Sequence, residues 1–203
     1  MPKKNAGSAA SEIGAPIDIR APRTRLIEAA SQLFCRYGIN ATGVDAVIAQ
    51  AGTAKTTLYK LFGSKEGLVE AVLEQEGRLW REWFLQRVEH GAETGRDRVA
   101  RIFPVLKEWF AEERFFGCPF INAIGEHDKS EDRLRDITIQ HKKQVLGRIE
   151  SWAADAGAKD PAAFAHQVGV LMDGAIVAAM VTRDPGVADH AAAAASALLQ
   201  AAA

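Results

Sequence analysis

Side chains suited to nucleic-acid contacts lie close together between residues 53 and 65. A lysine ammonium can donate to guanine O6 and N7, and a threonine hydroxyl can pair with a base edge, so Lys55 and Thr56 suit base contacts. Tyr59 and Lys60 follow about one helical turn later and suit phosphate contacts, which position a protein without reading base sequence. The complete set of predicted DNA-contacting residues is Thr42, Thr53, Ala54, Lys55, Thr56, Tyr59, Lys60 and Lys65.

Two short helices joined by a glycine turn are predicted to hold these side chains. Thr42 and Asp45 have the spacing of a capping box, which predicts the start of the first short helix. Gly52 permits the tight turn, and Thr53 is predicted to cap a second short helix that runs through Leu61. A helix-turn-helix of this kind places its second helix in the major groove of DNA. An ordinary packed helical hairpin is the alternative.

Longer amphipathic helices are predicted on either side of this motif. From Arg23 onward apolar residues recur at helical spacing until Gly38, where a glycine favours the helix end because it enters left-handed conformations at little cost. Ser64 is predicted to cap a long helix from Lys65 to about Glu89. The helix N-termini near residues 42 and 65 would each attract a phosphate group.

The remaining sequence also shows helical patterns, and no segment of it alternates with the two-residue period of a strand. Further helices are predicted over 95–114, after the Cys118-Pro119 pair, over 131–156, from 161 to about 182, and through the alanine-rich end. The predicted fold is therefore all-α with about nine helices. Its predicted parts are a disordered arm over 1–19, a helix-turn-helix DNA-binding domain over 20–66, and a ligand-binding and dimerisation domain over 67–203.

Charge is distributed unevenly along the chain. Residues 1–65 carry nine Lys and Arg against four Asp and Glu, whereas residues 66–203 carry sixteen against twenty-two. A basic head on an acidic body suggests that the head meets a large anion, and nucleic acid is the commonest one. Chance variation in solvated surface charge would give the same asymmetry, so charge alone leaves both interpretations open.

The sequence from Arg25 to Ala71 closely resembles the DNA-binding domain of the tetracycline-repressor (TetR/AcrR) family. The matching residues are Ala29-Ala30, Leu33-Phe34, Tyr37-Gly38, Ala41-Thr42, Ile48-Ala49, Ala51-Gly52, Thr57-Leu58-Tyr59, Phe62 and Ser64-Lys65-Glu66-Gly67-Leu68. The resemblance implies phosphate contacts from Tyr59, Lys60 and Lys65. A shorter run, 117–122, resembles the start of the sixth helix in many members. Asp45-Ala46-Val47 and Leu61 depart from the more usual residues, which leaves the operator sequence open.

The penultimate predicted helix is apolar on all sides, which predicts that it is buried on all sides. One face carries the residues predicted to form a dimer interface, namely Phe164, Val168, Leu171, Ala175, Ile176 and Ala179. The family resemblance also implies dimerisation through the last two helices. A central core helix in a monomer is the alternative. The apolar run from Val168 to Val181 contains Asp173 and is predicted to be too short to span a membrane.

Aromatic residues of the body could line a pocket for an apolar or planar small molecule. The candidate pocket residues are Trp80, Trp83, Phe84, Phe103, Trp109, Phe110, Phe116, Phe120, Asn122 and Met172. Each aromatic residue could equally be part of the core. Asn122 is the stronger candidate, because a polar amide among apolar neighbours needs a partner.

Metal, redox and catalytic chemistry have weaker support in the sequence. Glu126, His127, Asp128 and, further along, His141 are metal-ligating types, but their predicted place at a helix end favours solvated charge. Cys118 could sense oxidants or simply be a small buried residue. The sequence contains no glycine-rich nucleotide fingerprint and no Gly-x-Ser-x-Gly motif. No metal, no cofactor and no enzyme activity are therefore predicted.

Together these patterns predict a cytoplasmic, dimeric regulator of transcription that binds operator DNA and answers to an apolar or aromatic small molecule. Repression released by that molecule is the usual mode of the family that the chain resembles. Two other classes remain as alternatives, a small helical enzyme and a helical interaction module without a DNA-binding role.

Overall fold

The computed structural model of the protein describes residues 21–127 and 132–202, which form nine α-helices and no strand. The helices are α1 (Pro22–Tyr37), α2 (Val44–Ala51), α3 (Lys55–Phe62), α4 (Lys65–Glu89), α5 (Gly95–Phe110), α6 (Pro119–Glu126), α7 (Asp132–Asp155), α8 (Pro161–Thr182) and α9 (Val187–Ala202). The prediction of an all-α fold with about nine helices is confirmed. The predicted disordered arm over 1–19 lies outside the described residues.

The first three helices and the first half of α4 enclose one core, which we call the head. Leu26 and Ala30 on α1, Leu58 on α3, and Leu68 and Val72 on α4 are all buried there. Burying one leucine side chain contributes about 1.5–3 kcal/mol of hydrophobic free energy. Because Leu58 faces inward, the opposite face of α3 is left at the surface.

A second and larger core lies among α4, α5, α7, α8 and α9, which form the body. Phe84, Phe103, Ile149, Phe164 and Val168 are each buried within it. Helix α5 packs against both α7 and α9, and α8 packs against the same two helices. Other helices of the same chain therefore cover one side of α8.

Helix α8 has 22 residues and is long and apolar enough, by length and composition alone, to cross a membrane. The helix is longer than the apolar run from Val168 to Val181, because it extends beyond that run at its N-terminal end. Its buried residues pack against α5, α7 and α9. This packing accounts for the hydropathy of α8 as that of a core helix, without a bilayer.

Two elements connect the head to the body. Helix α4 has 25 residues and so spans about 37 Å, beginning in the head core and ending in the body core. Helix α6 is short, but Phe120 and Ala123 on it are buried in the head core. A displacement of either helix therefore changes the orientation of the head relative to the body.

Candidate nucleic-acid interface and effector cavity

A glycine turn sets the angle between α2 and α3. Gly52 lies in the left-handed region at φ 58° and ψ 45°, where a side chain would be strained, and α3 begins three residues later at Lys55. Leu58 is fully buried and anchors α3 against the rest of the head. The two helices therefore form the helix-turn-helix arrangement that the sequence predicts.

The outer face of α3 carries the residues that were expected to contact DNA. Ala54, Lys55, Thr56, Tyr59 and Lys60 are all exposed, and Tyr59 leaves 43% of its surface open although it is aromatic. They form a continuous surface because residues three and four apart on a helix are neighbours. This surface combines two cations, a hydroxyl and a phenol, which can bind both base edges and phosphates.

Lys65 lies at the first residue of α4, next to the predicted cap. The hydroxyl of Ser64 accepts a hydrogen bond from the backbone N–H of Gly67 at 3.1 Å, which confirms Ser64 as the N-cap. The first backbone N–H groups of a helix carry partial positive charge. Lys65 therefore adds its own charge to a helix end that already favours an anion.

A salt bridge between α2 and α3 lies beside this surface. The Lys55 ammonium donates to the carboxylate of Asp45 at 2.9 Å, and both side chains are exposed. The hydrogen bond to Asp45, followed by the charge of that carboxylate, raises the pKa of Lys55. Lys55 must therefore leave or share this partner before it can contact a base.

Two predicted side-chain caps are not found in the structure. The side chain of Thr42 is buried and donates to the carbonyl oxygen of Gly38 at 2.7 Å, so Gly43 is the N-cap of α2 and no side chain caps it. The N-cap of α3 is Ala54, and the buried Oγ1 of Thr53 has no hydrogen-bond partner. Both threonine hydroxyls are therefore buried in the head, and the DNA contacts expected of these residues stay predictions.

A cavity of about 380 Å³ lies where the head meets the body. Its walls include Ser31 and Cys35 on α1, Glu76 and Trp80 on α4, and Trp109 near the end of α5. Helices α2 and α3 contribute no wall residue. The cavity therefore touches the first helix of the head but not the DNA-contacting helix itself.

The predicted pocket residues are divided between this cavity and other places. Trp80, Trp109, Phe116 and Phe120 line it, whereas Met172 lines a smaller groove between α7 and α8. Outside both cavities are Trp83, Phe84, Phe103, Phe110 and Asn122, of which Phe84, Phe103 and Phe110 are buried in the body core. The amide of Asn122 donates to the carbonyl oxygen of Phe116 at 3.0 Å. Asn122 thus satisfies its need for a partner within the chain.

Ser31 and Glu76 are among the polar cavity residues that were not predicted from the sequence. The hydroxyl of Ser31 donates to Oε1 of Glu76 at 2.7 Å and so joins α1 to α4 inside the cavity. Glu76 precedes Trp80 by four residues, which places the two on one face of α4. A carboxylate one turn before a tryptophan was the signal in the sequence that could have identified this wall.

His141 lines the cavity as an uncharged side chain. Arg81 donates to its Nδ1 at 2.8 Å, and its ring stacks on Phe120 with the ring centres 4.1 Å apart. Burial, followed by the charges of Arg81 and Lys142, lowers the pKa of His141 to about 3. The imidazole therefore adds no positive charge to the cavity at neutral pH.

Family models of known proteins match both parts of the chain. The model described as "Bacterial regulatory proteins, tetR family" matches residues 26–72, and "Tetracyclin repressor-like, C-terminal domain" matches residues 95–195. The chain belongs to the tetR family. The predicted resemblance is thereby confirmed, and the chain is a DNA-binding regulator of transcription of that family.

Individual relatives of the tetR family agree over most of the chain. The HTH-type transcriptional regulator LmrA of Bacillus subtilis is 25% identical over 80% of this chain and 88% of its own length. A crystal structure of a TetR-family transcriptional regulator from Streptomyces coelicolor superimposes with a TM-score of 0.80 at 26% identity, covering 89% of this chain and 95% of that one. A putative regulator of the family from Streptomyces avermitilis gives a TM-score of 0.78 at 28% identity, over 90% and 98%.

The predicted dimer residues have a different place in this tetR-family chain. Phe164, Val168, Ala175, Ile176 and Ala179 are buried in the core of their own chain, and Leu171 packs against the same core. A residue that is already covered by α5, α7 and α9 cannot also cover a partner. The opposite face of α8 carries Val170, Val177 and Val181, which are exposed.

The predicted metal candidates have other partners where the structure describes them. The carboxylate of Glu126 accepts from the backbone N–H of Asn40, and Nδ1 of His127 lies 3.0 Å from the carbonyl oxygen of Ala123. Asp128 lies outside the described residues. Among residues 21–127 and 132–202, no three His, Cys, Asp or Glu side chains are grouped to hold a metal ion.

Both cysteines line the cavity as free thiols. Burial, reinforced by the charge of Glu76, raises the pKa of Cys35 to about 11. Burial also raises the pKa of Cys118. The thiolate is the reactive form of cysteine, and these environments favour the protonated thiol. Partly buried structural residues therefore account for both positions.

Proposed function

We propose that the protein is a homodimeric repressor that binds a palindromic operator and releases it when a small molecule occupies the body. The observation that carries the proposal is the exposed surface of α3, with Lys55, Thr56, Tyr59 and Lys60 directed outward and Lys65 beside them. In helix-turn-helix dimers the two recognition helices enter successive major grooves about 34–36 Å apart.

The outward face of α8 supports a homodimer. Val170, Gly174, Val177 and Val181 are spaced four, three and four residues apart, and all four are exposed. Such spacing gives one continuous stripe along a helix. A stripe of exposed apolar residues is typical of a protein interface, and a second copy of the chain is the partner that the tetR family suggests.

Ligand response follows from the position of the cavity. It has walls from α1 of the head and from α4, α6 and α7, so an occupant contacts both parts of the chain. A ligand shifts a conformational equilibrium only as far as it prefers one state over the other. An effector that fits the cavity better when the head is tilted away from its operator-binding position would therefore weaken DNA binding.

The proposal places the protein in the cytoplasm, where its DNA target would be, and assigns it no cofactor and no catalytic activity. Its matched relatives are named as regulators of transcription rather than as enzymes. Substrate turnover is therefore not part of the proposed role.

Selection from a random duplex library tests the DNA-binding part of the proposal. We expect the wild type to enrich a palindrome and a Lys55→Ala/Tyr59→Ala variant to enrich nothing, because both changed side chains lie on the exposed face of α3. A Lys159→Ala variant is the matched control, since that lysine is exposed in the loop before α8. Enrichment of the same sequence by the double variant would contradict the proposed interface.

Salt dependence provides an independent test of the same contacts. Each lysine that neutralises a phosphate releases counterions, so the logarithm of affinity falls with the logarithm of salt concentration by about 0.9 per contact. We expect Lys60→Ala to reduce that slope by about one, and Lys159→Ala to leave it unchanged. A flat salt dependence of the wild type would point to an interaction module without a DNA-binding role.

A further inference from the structure

The cavity between head and body holds a carboxylate that has no cationic partner. The structure gives Glu76 one hydrogen-bond partner, the neutral hydroxyl of Ser31, and no Lys or Arg in the described ranges pairs with it. Glu76 is only partly exposed, so solvent screens its charge less than it screens a charge at the surface. A carboxylate offers about four acceptor sites, and one hydroxyl satisfies only one of them.

Aromatic rings line the same cavity as this carboxylate. Trp80 lies one turn after Glu76 on α4, and its ring centre is 5.5 Å from that of Trp109. Phe120 lines the same cavity from α6. The faces of indole and phenyl rings attract cations. The cavity thus combines apolar surface with two features that both favour positive charge.

The other charged groups of the cavity do not cancel this preference. His141 is uncharged, because its Nδ1 accepts from Arg81 and its ring is stacked on Phe120. Two cationic residues, Arg36 and Arg114, and one further acidic residue, Glu112, also line the cavity, but all three are exposed. Exposed charges are screened by water and salt. Among the charged residues that line the cavity, Glu76 is therefore the one whose charge solvent screens least.

We propose that the effector of this regulator is a lipophilic cation, whose apolar body lies against Trp80 and Trp109 and whose positive charge lies beside Glu76. This inference rests on the proposed function, in which the same cavity is the effector site. It also supplies a direct route to the head. A cation held at Glu76 lies beside the hydrogen bond between Ser31 and Glu76, which joins α1 to α4.

A pair of ions of similar size and shape but opposite charge tests this inference. We would titrate the purified protein with tetraphenylphosphonium and with tetraphenylborate by calorimetry. The phosphonium ion is expected to bind at least tenfold more tightly than the borate. Equal or tighter binding of the borate would overturn the inference, because it would show that apolar surface alone governs binding.

Two isosteric variants identify the carboxylate. Glu76→Gln removes the partly buried carboxylate charge and is expected to weaken phosphonium binding about tenfold or more. Glu112→Gln removes an exposed charge and should change the phosphonium affinity less than twofold. Circular dichroism melting checks that both variants fold. Unchanged binding by a folded Glu76→Gln variant would overturn the assignment.

A DNA readout separates this inference from the proposed function. With a selected operator, tetraphenylphosphonium is expected to release DNA from the wild type and to release much less from Glu76→Gln. If operator binds but phosphonium does not, the effector inference fails and the proposed repressor function stands. If phosphonium binds at Glu76 but no duplex is ever bound, the proposed function fails and the cation site stands.

Discussion

Asn40, in the turn after α1, donates two hydrogen bonds to Glu126, the last residue of α6. Its backbone N–H reaches the carboxylate at 2.8 Å, and its side-chain amide reaches the main-chain carbonyl oxygen at 2.8 Å. The other end of α6 begins at Pro119, which lines the cavity. One short helix therefore contacts the proposed effector at one end and the head at the other.

Glu126→Ala removes the carboxylate bond and is expected to loosen the turn after α1. A hydrogen bond of this kind contributes about 0.5–1.5 kcal/mol, so amide exchange at Asn40 should accelerate about two- to tenfold. Hydrogen exchange followed by mass spectrometry measures it. Glu126→Gln keeps an acceptor oxygen and is the control. Equal exchange in Glu126→Ala and the wild type would mean that the contact does not hold the head.

Asp45→Asn is expected to raise operator affinity about three- to tenfold at low salt. The carboxylate binds the Lys55 ammonium at 2.9 Å and places a negative charge beside the DNA-contacting surface. Its removal frees the lysine and ends that repulsion. Fluorescence anisotropy with a labelled operator measures the change, and Glu150→Gln, an exposed charge on α7, is the control. A loss of affinity would instead make Asp45 the residue that positions Lys55.

Val177→Asp is expected to separate the dimer, since it introduces a charge into the apolar stripe of α8. Burying an unpaired carboxylate is unfavourable, so the dimer dissociation constant should rise at least tenfold. Leu79→Asp is a matched control, because Leu79 is 44% exposed and Val177 is 39% exposed. Sedimentation equilibrium distinguishes them. Dimers that persist in Val177→Asp but dissociate in Leu79→Asp would move the interface to α4.

Two glycine-to-alanine substitutions are expected to change stability in opposite directions. At Gly77 an added Cβ would lie 2.7 Å from Cζ of Phe120 and 3.0 Å from Nδ1 of His141, so Gly77→Ala should cost about 1–3 kcal/mol through overpacking. At Gly147 no side chain or neighbouring element comes within 4 Å of the added Cβ, so Gly147→Ala should stabilise α7 by up to about 1 kcal/mol. Thermal unfolding measures both. A Gly77→Ala variant as stable as the wild type would contradict the close packing of Phe120 on α4.

The buried imidazole of His141 is expected to make the protein less stable in mild acid. Its pKa is about 3 in the folded chain against 6.5 for the ordinary group, so between these values the unfolded chain binds the proton more readily. The free energy of unfolding should therefore fall as pH drops from about 6.5 towards 3, by at most about 1.4 kcal/mol per pH unit. Urea unfolding at several pH values measures it.

The comparison variants for this pH dependence are His141→Gln and His190→Gln. The first removes the buried imidazole but keeps an acceptor for Arg81, so it should unfold with a shallower pH dependence than the wild type. The second removes an exposed histidine and should retain the wild-type dependence. A His141→Gln variant that loses stability in acid as steeply as the wild type would assign the effect to another group.

Local patterns predicted the head well because its helices follow sequence-local rules. Ser64 caps α4 with its own side chain, and Gly52 provides the left-handed turn. Threonine caps were predicted wrongly at residues 42 and 53, because a nearby carbonyl oxygen or a buried site decided where each hydroxyl points. The spacing of Thr42 and Asp45 does not reveal that competing acceptor.

Long-range packing limited the predictions for the body. Helix α8 is apolar on all sides, so its sequence does not tell which face meets its own chain, and Phe164 and Val168, predicted for a dimer interface, lie in the core of their own chain. The same difficulty applies to the aromatic residues, since Phe84 and Trp80 have similar neighbours in sequence although one is core and the other lines the cavity. Only the packing of α1 against α4 brings Ser31 to Glu76.

No residue of α2 or α3 lines the cavity. The residues that bind DNA and the residues that bind the effector can therefore be exchanged separately. A chimera that receives residues 44–62 from another regulator of the family would acquire that regulator's operator preference, while Ser31, Glu76 and Trp80 stayed in place. Substitutions at residues 76, 80 and 109 would instead change which small molecule binds and leave the operator preference unchanged. The same effector cavity could therefore control different operators, depending on which α2–α3 pair the chain carries.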